Sequence, residues 1–309
     1  MLFYDLKNSR SYAATVRTQA MQPGHVAQSL NRLVVNLYDS EGRKWDNGIV
    51  AKENQTELIT RREYAILQGI RGDELLHQLR VSAPVMYGQH KKKIVMQNLL
   101  YPTLEEYLAI GGVSLTERTG LLSRVVRATE VIEERTPIYL GRIDRNAEVK
   151  GGEQVADLGT EHKEAVNYLR KKGMFNIWLS DSRLGNWIYD TEDDMLYKID
   201  ENTRRRGSKF GCLAFIADYN HSCDPLERDF FLSLMKPADI NDALLSLYVT
   251  NMESALYFKK IGNEEIHWQR IEIAHAYLQK LATTEPKWLS LKHEFEMQYV
   301  PQTANTRAA

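Results

Sequence analysis

The chain has 309 residues, of which 43% are hydrophobic and 26% charged, a globular composition that excludes extensive disorder. Its 40 basic and 41 acidic residues give a net charge of −1, which excludes the overall basic character of a non-specific nucleic-acid-binding protein. It has 2 cysteines, no signal-peptide pattern at the N-terminus and no apolar run of the roughly 18 residues that a transmembrane segment needs, so we expect a cytoplasmic protein without a disulfide framework.

Residues 1–100 predict a strand-rich region with one helix. Short apolar runs rich in β-branched residues predict strands at 33–38, 48–52, 83–88 and 94–100. Between the second and third of these strands, apolar residues at helical spacing follow Thr60. We expect Thr60 to be the helix N-cap, with Glu63 as its capping-box partner.

Residues 101–309 predict mainly helices, with β-structure confined to one patch. Glycines and charged residues at 141–160 predict a loop or a small insertion, and Gly173 is a suitable end for the helix that precedes it. Residues 175–200 alternate short apolar runs with turns, which predicts short strands. We therefore predict an α+β protein with a sheet-containing part at 1–100 and a helical part at 101–309.

The first segment that indicates chemistry is Val50-Ala51-Lys52, where a lysine ends an apolar strand. Burying an unpaired ammonium group is costly, so a buried Lys52 needs a counter-charge or a ligand, and Glu63 on the following helix could supply the charge. The alternative is an edge-strand lysine whose ammonium group reaches water.

Two further segments place metal-binding side chains in loops after apolar strands. Asp181 and Asn186 lie close in sequence, where the aspartate could accept a hydroxyl proton and the asparagine oxygen could bind Mg²⁺. Asp200 closes the next strand and is placed to hold a metal. The alternatives are a chance Asp–Asn pair, of which roughly one is expected in such a chain, and an aspartate that only caps a turn.

Taken in order, these segments resemble the protein-kinase-like superfamily. Lys52 resembles the strand lysine of that family, and Glu63 resembles its ion-pair partner on the following helix. The 181–186 segment resembles the catalytic loop, and Asp200 resembles the metal-binding aspartate of D-F-G. The resemblance covers about residues 30–235 and implies a two-lobed fold, with an antiparallel-sheet N-lobe and a mainly helical C-lobe.

The resemblance implies ATP and Mg²⁺ as ligands in the cleft between the lobes, with the γ-phosphate transferred to a hydroxyl group. Residues 96–100 fall where the family has the hinge between its lobes. The implied nucleotide-binding residues are Lys52, Glu63, Gln97 and Leu99. The implied metal-binding residues are Asn186 and Asp200, and the implied catalytic residues are Asp181 as the base and Arg183 beside the γ-phosphate.

The sequence departs from the pattern of eukaryotic protein kinases. Leu179-Ser180 replaces His-Arg before the catalytic aspartate, Glu201-Asn202 replaces the residues after the metal aspartate, and no A-P-E segment follows. No glycine-rich loop precedes Lys52, which leaves residues 22–25 or 40–42 to cover the phosphates. With these departures the sequence is more similar to the aminoglycoside, choline and lipopolysaccharide core kinases than to eukaryotic protein kinases. The lipopolysaccharide core kinases also have a basic stretch after the metal aspartate, which here is Arg204-Arg205-Arg206.

The sequence leaves three functions open. The preferred one is an ATP-dependent kinase for a small molecule or sugar, with an anionic acceptor if the arginines at 204–206 bind it rather than form a solvated turn. The others are a pseudokinase that binds nucleotide or a partner protein without catalysis, and an atypical kinase for protein serine or threonine, suggested by Arg183. A zinc site at Cys212, His221 and Cys223, together with Asp224, is a further alternative, although the spacing matches no familiar motif and a fourth ligand is not obvious.

Overall fold

Short strands dominate the N-terminal part of the chain and helices the C-terminal part. The computed structural model describes residues 2–5, 10–21, 29–38, 44–45, 49–141, 160–201, 205–217 and 225–306. The strands in these residues are β1 (Leu2–Asp5), β2 (Arg10–Met21), β3 (Ser29–Tyr38), β4 (Lys44–Trp45), β5 (Ile49–Glu53), β6 (Val81–Ser82), β7 (Met86–His90), β8 (Lys93–Gln97), β9 (Phe175–Leu179), β10 (Trp187–Asp190), β11 (Met195–Lys198) and β12 (Arg205–Ser208). The α-helices are α1 (Glu57–Arg71), α2 (Glu74–Gln78), α3 (Leu104–Ala109), α4 (Leu115–Leu140), α5 (Thr160–Lys171), α6 (Gly211–Ala217), α7 (Pro225–Ser233), α8 (Ile240–Lys260), α9 (Glu264–Thr284) and α10 (Leu289–Thr306).

The chain folds into two compact units. The first consists of Met1–Ser114, Glu134–Asn146 and Leu184–Thr203, and the second of Leu115–Glu133, Ala147–Arg183 and Arg204–Ala309. The first unit therefore includes the β10–β11 strand pair as well as the N-terminal strands, and the boundary falls directly after Arg183. The division into lobes at residue 100 stays a prediction.

The main sheet of the first unit is antiparallel, as the sequence predicts, and Lys52 lies on one of its inner strands. The strand order is β1-β2-β3-β5-β8-β7, with β4 paired to β3. On β5, Lys52 is opposite Leu30 of β3 on one side and Ile94 of β8 on the other. An inner strand has both backbone edges paired, so the position of Lys52 is fixed from both sides.

Helix α1 begins one turn earlier than the sequence predicts. The N-cap is Thr56, whose hydroxyl accepts a hydrogen bond from the backbone N–H of Ile59 at 3.2 Å. The prediction of Thr60 as the cap is wrong: Thr60 is buried inside the helix and donates to the carbonyl of Thr56 at 3.0 Å. Thr56 can cap a helix with the same hydroxyl group as Thr60. Glu63 is not a capping-box partner, because its carboxylate contacts Lys52 and Asn54.

A second, three-stranded sheet in the first unit carries the segment that ends at Asp200. Its order is β10-β11-β6, with β10 antiparallel and β6 parallel to β11. The register places Lys198 opposite Trp187, both of them buried. Asp200 follows β11 after a single residue, so the sheet fixes where the aspartate emerges.

The second unit is mainly helical, as the sequence predicts. Its longest helices, α8 and α9, pack against each other, and Gly173 ends α5 with a φ of +67°, where glycine is favoured. β9 pairs with β12 in a two-stranded ribbon. The solvated turn considered for the arginines at 204–206 is therefore wrong for Arg205 and Arg206, whose backbone forms β12.

Several predictions concern residues outside the described ranges. These are the two segments considered as phosphate-covering loops, at 22–25 and 40–42, most of the 141–160 segment, Arg204, and His221, Cys223 and Asp224 of the zinc alternative. The remaining residue of that alternative, Cys212, is buried in α6. Within the described residues, no group of three or more His, Cys, Asp or Glu side chains is arranged to hold a metal ion, and no helix is long and apolar enough to cross a membrane.

Asp73 ties helix α2 to the last part of α4 in the first unit. Its carboxylate accepts from the backbone N–H of Leu75 at 2.9 Å, and from Arg135 Nη1 and the Tyr139 hydroxyl at 2.7 Å each. The Tyr139 ring also lies against Gly69 of α1, where any side chain would overlap with it. Burial opposes the charge on Asp73, but the hydrogen bonds from Tyr139, the α2 backbone and Arg135 outweigh burial and lower its pKa.

Replacing Asp73 with asparagine should lower the free energy of unfolding by about 2 kcal/mol near neutral pH, because the Arg135 hydrogen bond loses its charged acceptor. The folded-state pKa of Asp73 is lowered, so its contribution is present above the ordinary aspartate pKa of about 3.9 and is lost as the pH falls through the folded-state value. Urea unfolding of the wild type and Asp73→Asn should show a difference that shrinks on acidification. A difference independent of pH would contradict the ionised cap. Glu57→Gln, at an exposed ion pair, is the control and should have a small effect.

Candidate functional site

Lys52 is a buried cation held between two carboxylates. Its side chain is 5% exposed, and its Nζ lies 2.7 Å from Glu63 Oε1 and 2.9 Å from Asp200 Oδ1. The sequence therefore predicts the Lys52–Glu63 pair correctly, and an edge-strand lysine that reaches water is excluded. The structure also brings Asp200 to the same ammonium group, although it lies far along the chain.

Glu63 is the centre of this cluster and is fully buried. Its Oε1 accepts from Lys52 and, at 3.4 Å, from the backbone N–H of Glu201, while its Oε2 accepts from Asn54 Nδ2 at 2.8 Å. The carboxylate thus joins β5, helix α1 and the segment after β11. Asn54 is a site residue that the sequence analysis did not identify. Its position two residues after Lys52 is the available signal, since alternate residues of an extended segment share a face.

Neighbouring charges shift the pKa values of Lys52 and Glu63. Burial disfavours the charge on Lys52, but the carboxylates of Glu63 and Asp200 outweigh burial and raise the pKa of the ammonium group. Burial raises the pKa of Glu63, while the charge of Lys52 and the hydrogen bonds from Lys52 and Asn54 act in the opposite direction. Each buried charge therefore depends on its partners for its ionised form.

Asp200 is the accessible member of the cluster, and Asn186 is linked to it through the backbone. The Asp200 side chain is 26% exposed, whereas Glu63 is fully buried. Asn186 lies in the short 3₁₀ turn Leu184–Asn186, and its carbonyl accepts from the backbone N–H of Ile199 at 3.0 Å. Carboxylate and amide oxygens suit Mg²⁺, which proteins hold with one or two carboxylates together with phosphate oxygens. The donor chemistry of these two side chains therefore fits the ion that the sequence implies.

The β5–β8 ladder separates Lys52 from the predicted hinge residues Gln97 and Leu99. Gln97 is opposite Ile49, three positions from Lys52 along the strand, which corresponds to about 10 Å. The Gln97 backbone N–H donates to the carbonyl of Val85 at 2.8 Å, and its Oε1 accepts from the Val85 N–H at 3.3 Å. Leu99 follows the strand and is half-buried. Contact of Gln97 and Leu99 with a nucleotide stays a prediction.

The sheet register shows which end of the β2–β3 pair lies beside Lys52. Met21, which ends β2, is opposite Leu30 of β3, and Leu30 is opposite Lys52. The described end of β2 and start of β3 are therefore in the ladder beside Lys52. The other end of β3, at Tyr38, is opposite Ala13 of β2.

Asp181 and Arg183 lie in the second unit and form an ion pair with each other. Arg183 Nε lies 2.9 Å from Asp181 Oδ1, and Arg183 Nη2 lies 2.6 Å from Oδ2, a bidentate arrangement. The Asp181 side chain is 5% exposed and that of Arg183 is 31% exposed. The roles of base for Asp181 and of γ-phosphate contact for Arg183 stay predictions.

Both neighbours of Asp181 are anchored to one face of helix α4. The backbone N–H of Ser180 donates to Glu133 Oε1 at 3.0 Å, and the Ser182 and Thr129 hydroxyls are hydrogen-bonded at 2.7 Å. Thr129 and Glu133 are one helical turn apart, so they share a face. These two residues were missed in the sequence analysis, and the available signal was polar residues at helical spacing among the apolar ones of this helix. Their effect is to fix the backbone on both sides of Asp181.

No protein-family model matches the sequence, and a search of curated proteins finds no significant match. Solved structures do match. The choline kinase LicA from Streptococcus pneumoniae is 12% identical with a TM-score of 0.50, and the match covers 86% of this chain and 94% of that chain. A choline/ethanolamine kinase family protein from Mesorhizobium loti is 12% identical with a TM-score of 0.51, covering 91% and 92%. The macrolide 2′-phosphotransferase MphH from Brachybacterium faecium is 14% identical with a TM-score of 0.47, covering 89% and 94%.

The first two of these matches show the fold of this chain. It is a kinase-like α+β fold shared with these two structures, with an antiparallel sheet in the N-terminal region and a helical C-terminal part. The fold predicted from the order of a few polar segments is thereby confirmed.

Replacing Glu63 with alanine should lower the free energy of unfolding by about 3 kcal/mol, because it removes the carboxylate that pairs most closely with the buried Lys52 ammonium. The double variant Lys52→Met/Glu63→Leu should recover most of that loss, since it removes both charges and keeps the volume filled. Urea unfolding measures both. Arg61→Ala is the control on the same helix: it breaks the exposed pair of Arg61 with Glu57 and should cost less than about 1 kcal/mol. Equal losses in Glu63→Ala and Arg61→Ala would contradict the role given to the buried pair.

Proposed function

We propose that the protein is an ATP-dependent phosphotransferase that moves the γ-phosphoryl group to a hydroxyl group of a small molecule or sugar. The observation that carries the proposal is the Lys52 ammonium group, which is buried and held between Glu63 and the partly exposed Asp200. Hydrophobic residues of similar volume could fill this space at equal or higher stability, so the charges point to a functional role.

Lys52 and Asp200 offer complementary charges to a nucleotide. The ammonium group would contact the α- and β-phosphates, with Glu63 fixing its direction. Asp200 and Asn186 would hold Mg²⁺, which neutralises the negative charge of the phosphates during transfer. Residues 22–25 would cover the phosphates, because they belong to the connection that leaves β2 at Met21, next to Leu30 and Lys52. Gln97 and Leu99 would contact the base.

Asp181 would handle the proton of the acceptor. The hydroxyl oxygen forms a bond to the γ-phosphorus as the bond from that phosphorus to the bridging oxygen breaks, and the hydroxyl proton passes to the Asp181 carboxylate. The products are ADP and the phosphorylated acceptor. Thr129 and Glu133 support this role because they hold the backbone at Ser180 and Ser182, on either side of the base. A base placed in this way gains its effect from orientation.

The acceptor class rests on the fold. The two solved structures that match with TM-scores of 0.50 and 0.51 are a choline kinase and a choline/ethanolamine kinase family protein, which are named after small alcohols. A small hydroxyl compound is therefore the first acceptor class to test. We also propose a cytoplasmic location, where ATP is available.

One observation favours a second candidate, a nucleotide-binding protein without catalysis. Arg183 engages both carboxylate oxygens of Asp181. An acceptor hydroxyl must displace Arg183 from at least one of these oxygens to reach the proposed base. If the Arg183–Asp181 pair stays closed, ATP would bind but no phosphate would be transferred. Assays of the variants below distinguish the two candidates.

ATP with Mg²⁺ at about 100 times its Kd should stabilise the wild type by about 2.7 kcal/mol, or roughly 5–10 °C in a thermal-shift measurement. In Asp200→Asn the part of the shift that requires Mg²⁺ should disappear, because the proposed metal ligand loses its charge. Asp73→Asn is the matched control, since it makes the same chemical change at a carboxylate of the same unit and should keep the full shift. A wild type that no nucleotide stabilises would refute the proposed ATP site.

Asp181→Asn should lower phosphoryl transfer by about 10²–10⁴-fold and leave the ATP-induced thermal shift intact, because the variant removes the proton acceptor but retains the volume. Transfer is measured as ADP formation in the presence of amino alcohols, sugars, phosphorylated sugars and serine or threonine peptides. Equal rates in the variant and the wild type would exclude Asp181 as the base. A wild type that binds ATP and Mg²⁺ but transfers phosphate to none of these acceptors would favour the non-catalytic candidate.

A further inference from the structure

Lys198 is a fully buried cation beside the candidate site, and no step of the proposed reaction uses it. It lies on β11 opposite Trp187, with its ammonium group 5.3 Å from the centroid of the indole ring. A buried ammonium group is costly unless it is paired and hydrogen-bonded. Its presence on a strand that could carry an apolar residue therefore needs a physical explanation.

The ammonium group of Lys198 binds the segment that carries Asp200. Its Nζ donates to the backbone carbonyl of Asp200 at 2.6 Å and lies 3.3 Å from Glu201 Oε1. Glu201 is itself 1% exposed, so the Lys198–Glu201 ion pair is buried on both sides. A short hydrogen bond from a charged donor is among the stronger ones that a carbonyl can accept.

The same peptide group is also held at its other end. The carbonyl of the peptide between Asp200 and Glu201 accepts from Lys198, and its N–H donates to Glu63 Oε1 at 3.4 Å. A peptide group is planar, so contacts on both its carbonyl and its N–H leave it little freedom to rotate. The Asp200 α-carbon lies in that plane, so holding the peptide group fixes the point from which the Asp200 side chain departs.

We propose that Lys198 and Glu201 are positioning residues that fix the Asp200–Glu201 peptide and so aim the Asp200 carboxylate at Lys52 and at the bound metal. The part that concerns the metal rests on the proposed function. The part that concerns the peptide depends only on the contacts of the first unit. Residues that orient a metal ligand without touching the metal commonly change metal affinity by 10–100-fold when they are replaced.

The test uses the double variant Lys198→Met/Glu201→Leu. It removes both charges and keeps side chains of similar size, whereas Lys198→Met alone leaves the Glu201 carboxylate without this cation and could prevent folding. Asp73→Asn serves as the control for lowered stability in the same unit, because Asp73 contacts α2, Arg135 and Tyr139 and none of the residues in this proposal.

The first measurement is amide hydrogen exchange without ligand, resolved to single residues. In the double variant the backbone amide at position 201, corrected for the intrinsic exchange rate of its new side chain, should exchange at least about tenfold faster than in the wild type, because its peptide loses the Lys198 contact. The amide of Leu196, which is on β11 like Lys198, is the internal control. It donates to the carbonyl of Arg80 at 2.9 Å and should stay protected if β11 is intact. In Asp73→Asn the ratio of the exchange rates of these two amides should be the same as in the wild type.

The second measurement is the Mg²⁺ concentration that gives half of the ATP-induced thermal shift. It should rise by about 10–100-fold in the double variant and stay unchanged in Asp73→Asn, while the shift caused by ATP without Mg²⁺ stays the same in all three proteins. A purely structural role for Lys198 would lower the melting temperature without changing this Mg²⁺ requirement.

The outcomes separate this inference from the proposed function. If the wild type shows a Mg²⁺-dependent shift and the double variant has the same Mg²⁺ requirement, Lys198 is not a positioning residue for the site. If the wild type shows no shift with ATP and Mg²⁺, the proposed function fails and hydrogen exchange alone decides the inference. Faster exchange of the backbone amide at position 201 in the double variant then supports the fixed peptide, and unchanged exchange overturns it.

Discussion

The buried ammonium group of Lys52 is the constraint on which the site depends. A positive charge in a low-dielectric interior is stable only beside negative charge, and here that charge comes from two separate parts of the chain. Glu63 reaches it from helix α1, and Asp200 reaches it from the segment after β11. The main sheet, the helix and the β10–β11 pair must therefore all be in place before the lysine can be buried.

The two units fix their functional side chains by different physical means. In the first unit, ion pairs and charged hydrogen bonds hold Lys52 and Asp200, and Lys198 extends the same principle to a backbone carbonyl. In the second unit, helix α4 holds the backbone beside Asp181 through hydrogen bonds to Ser180 and Ser182. The ion pairs keep Lys52 and Asp200 charged, whereas the anchoring of the backbone leaves the Asp181 carboxylate to pair with Arg183.

Local sequence patterns predicted elements well where a single periodicity applied. The strands around Lys52 and the helices after residue 104 follow from apolar runs and spacing, and Gly173 marks a helix end because its φ is positive. The patterns failed where two residues offer the same chemistry or where pairing comes from a distant segment. Thr56 and Thr60 are both good caps, and packing selects Thr56. The sequence around Arg205 and Arg206 has no strand pattern, but these residues form strand β12 because they pair with β9.

The sequence by itself determined the order of the polar segments, the fold class that this order indicates, and the Lys52–Glu63 pair. That pair is accessible to sequence reasoning because a buried lysine must find a carboxylate and the next helix carries one. Tertiary structure alone decided that Asp200 joins the pair, that Glu133 and Thr129 anchor the Asp181 segment, and that Lys198 is buried against the Asp200 carbonyl. The contacts of Asp200 with Lys52 and of α4 with the Asp181 segment join residues far apart along the chain, so they follow from packing. Lys198 and Asp200 are only two residues apart, but the burial of Lys198 depends on where β11 packs and pairs.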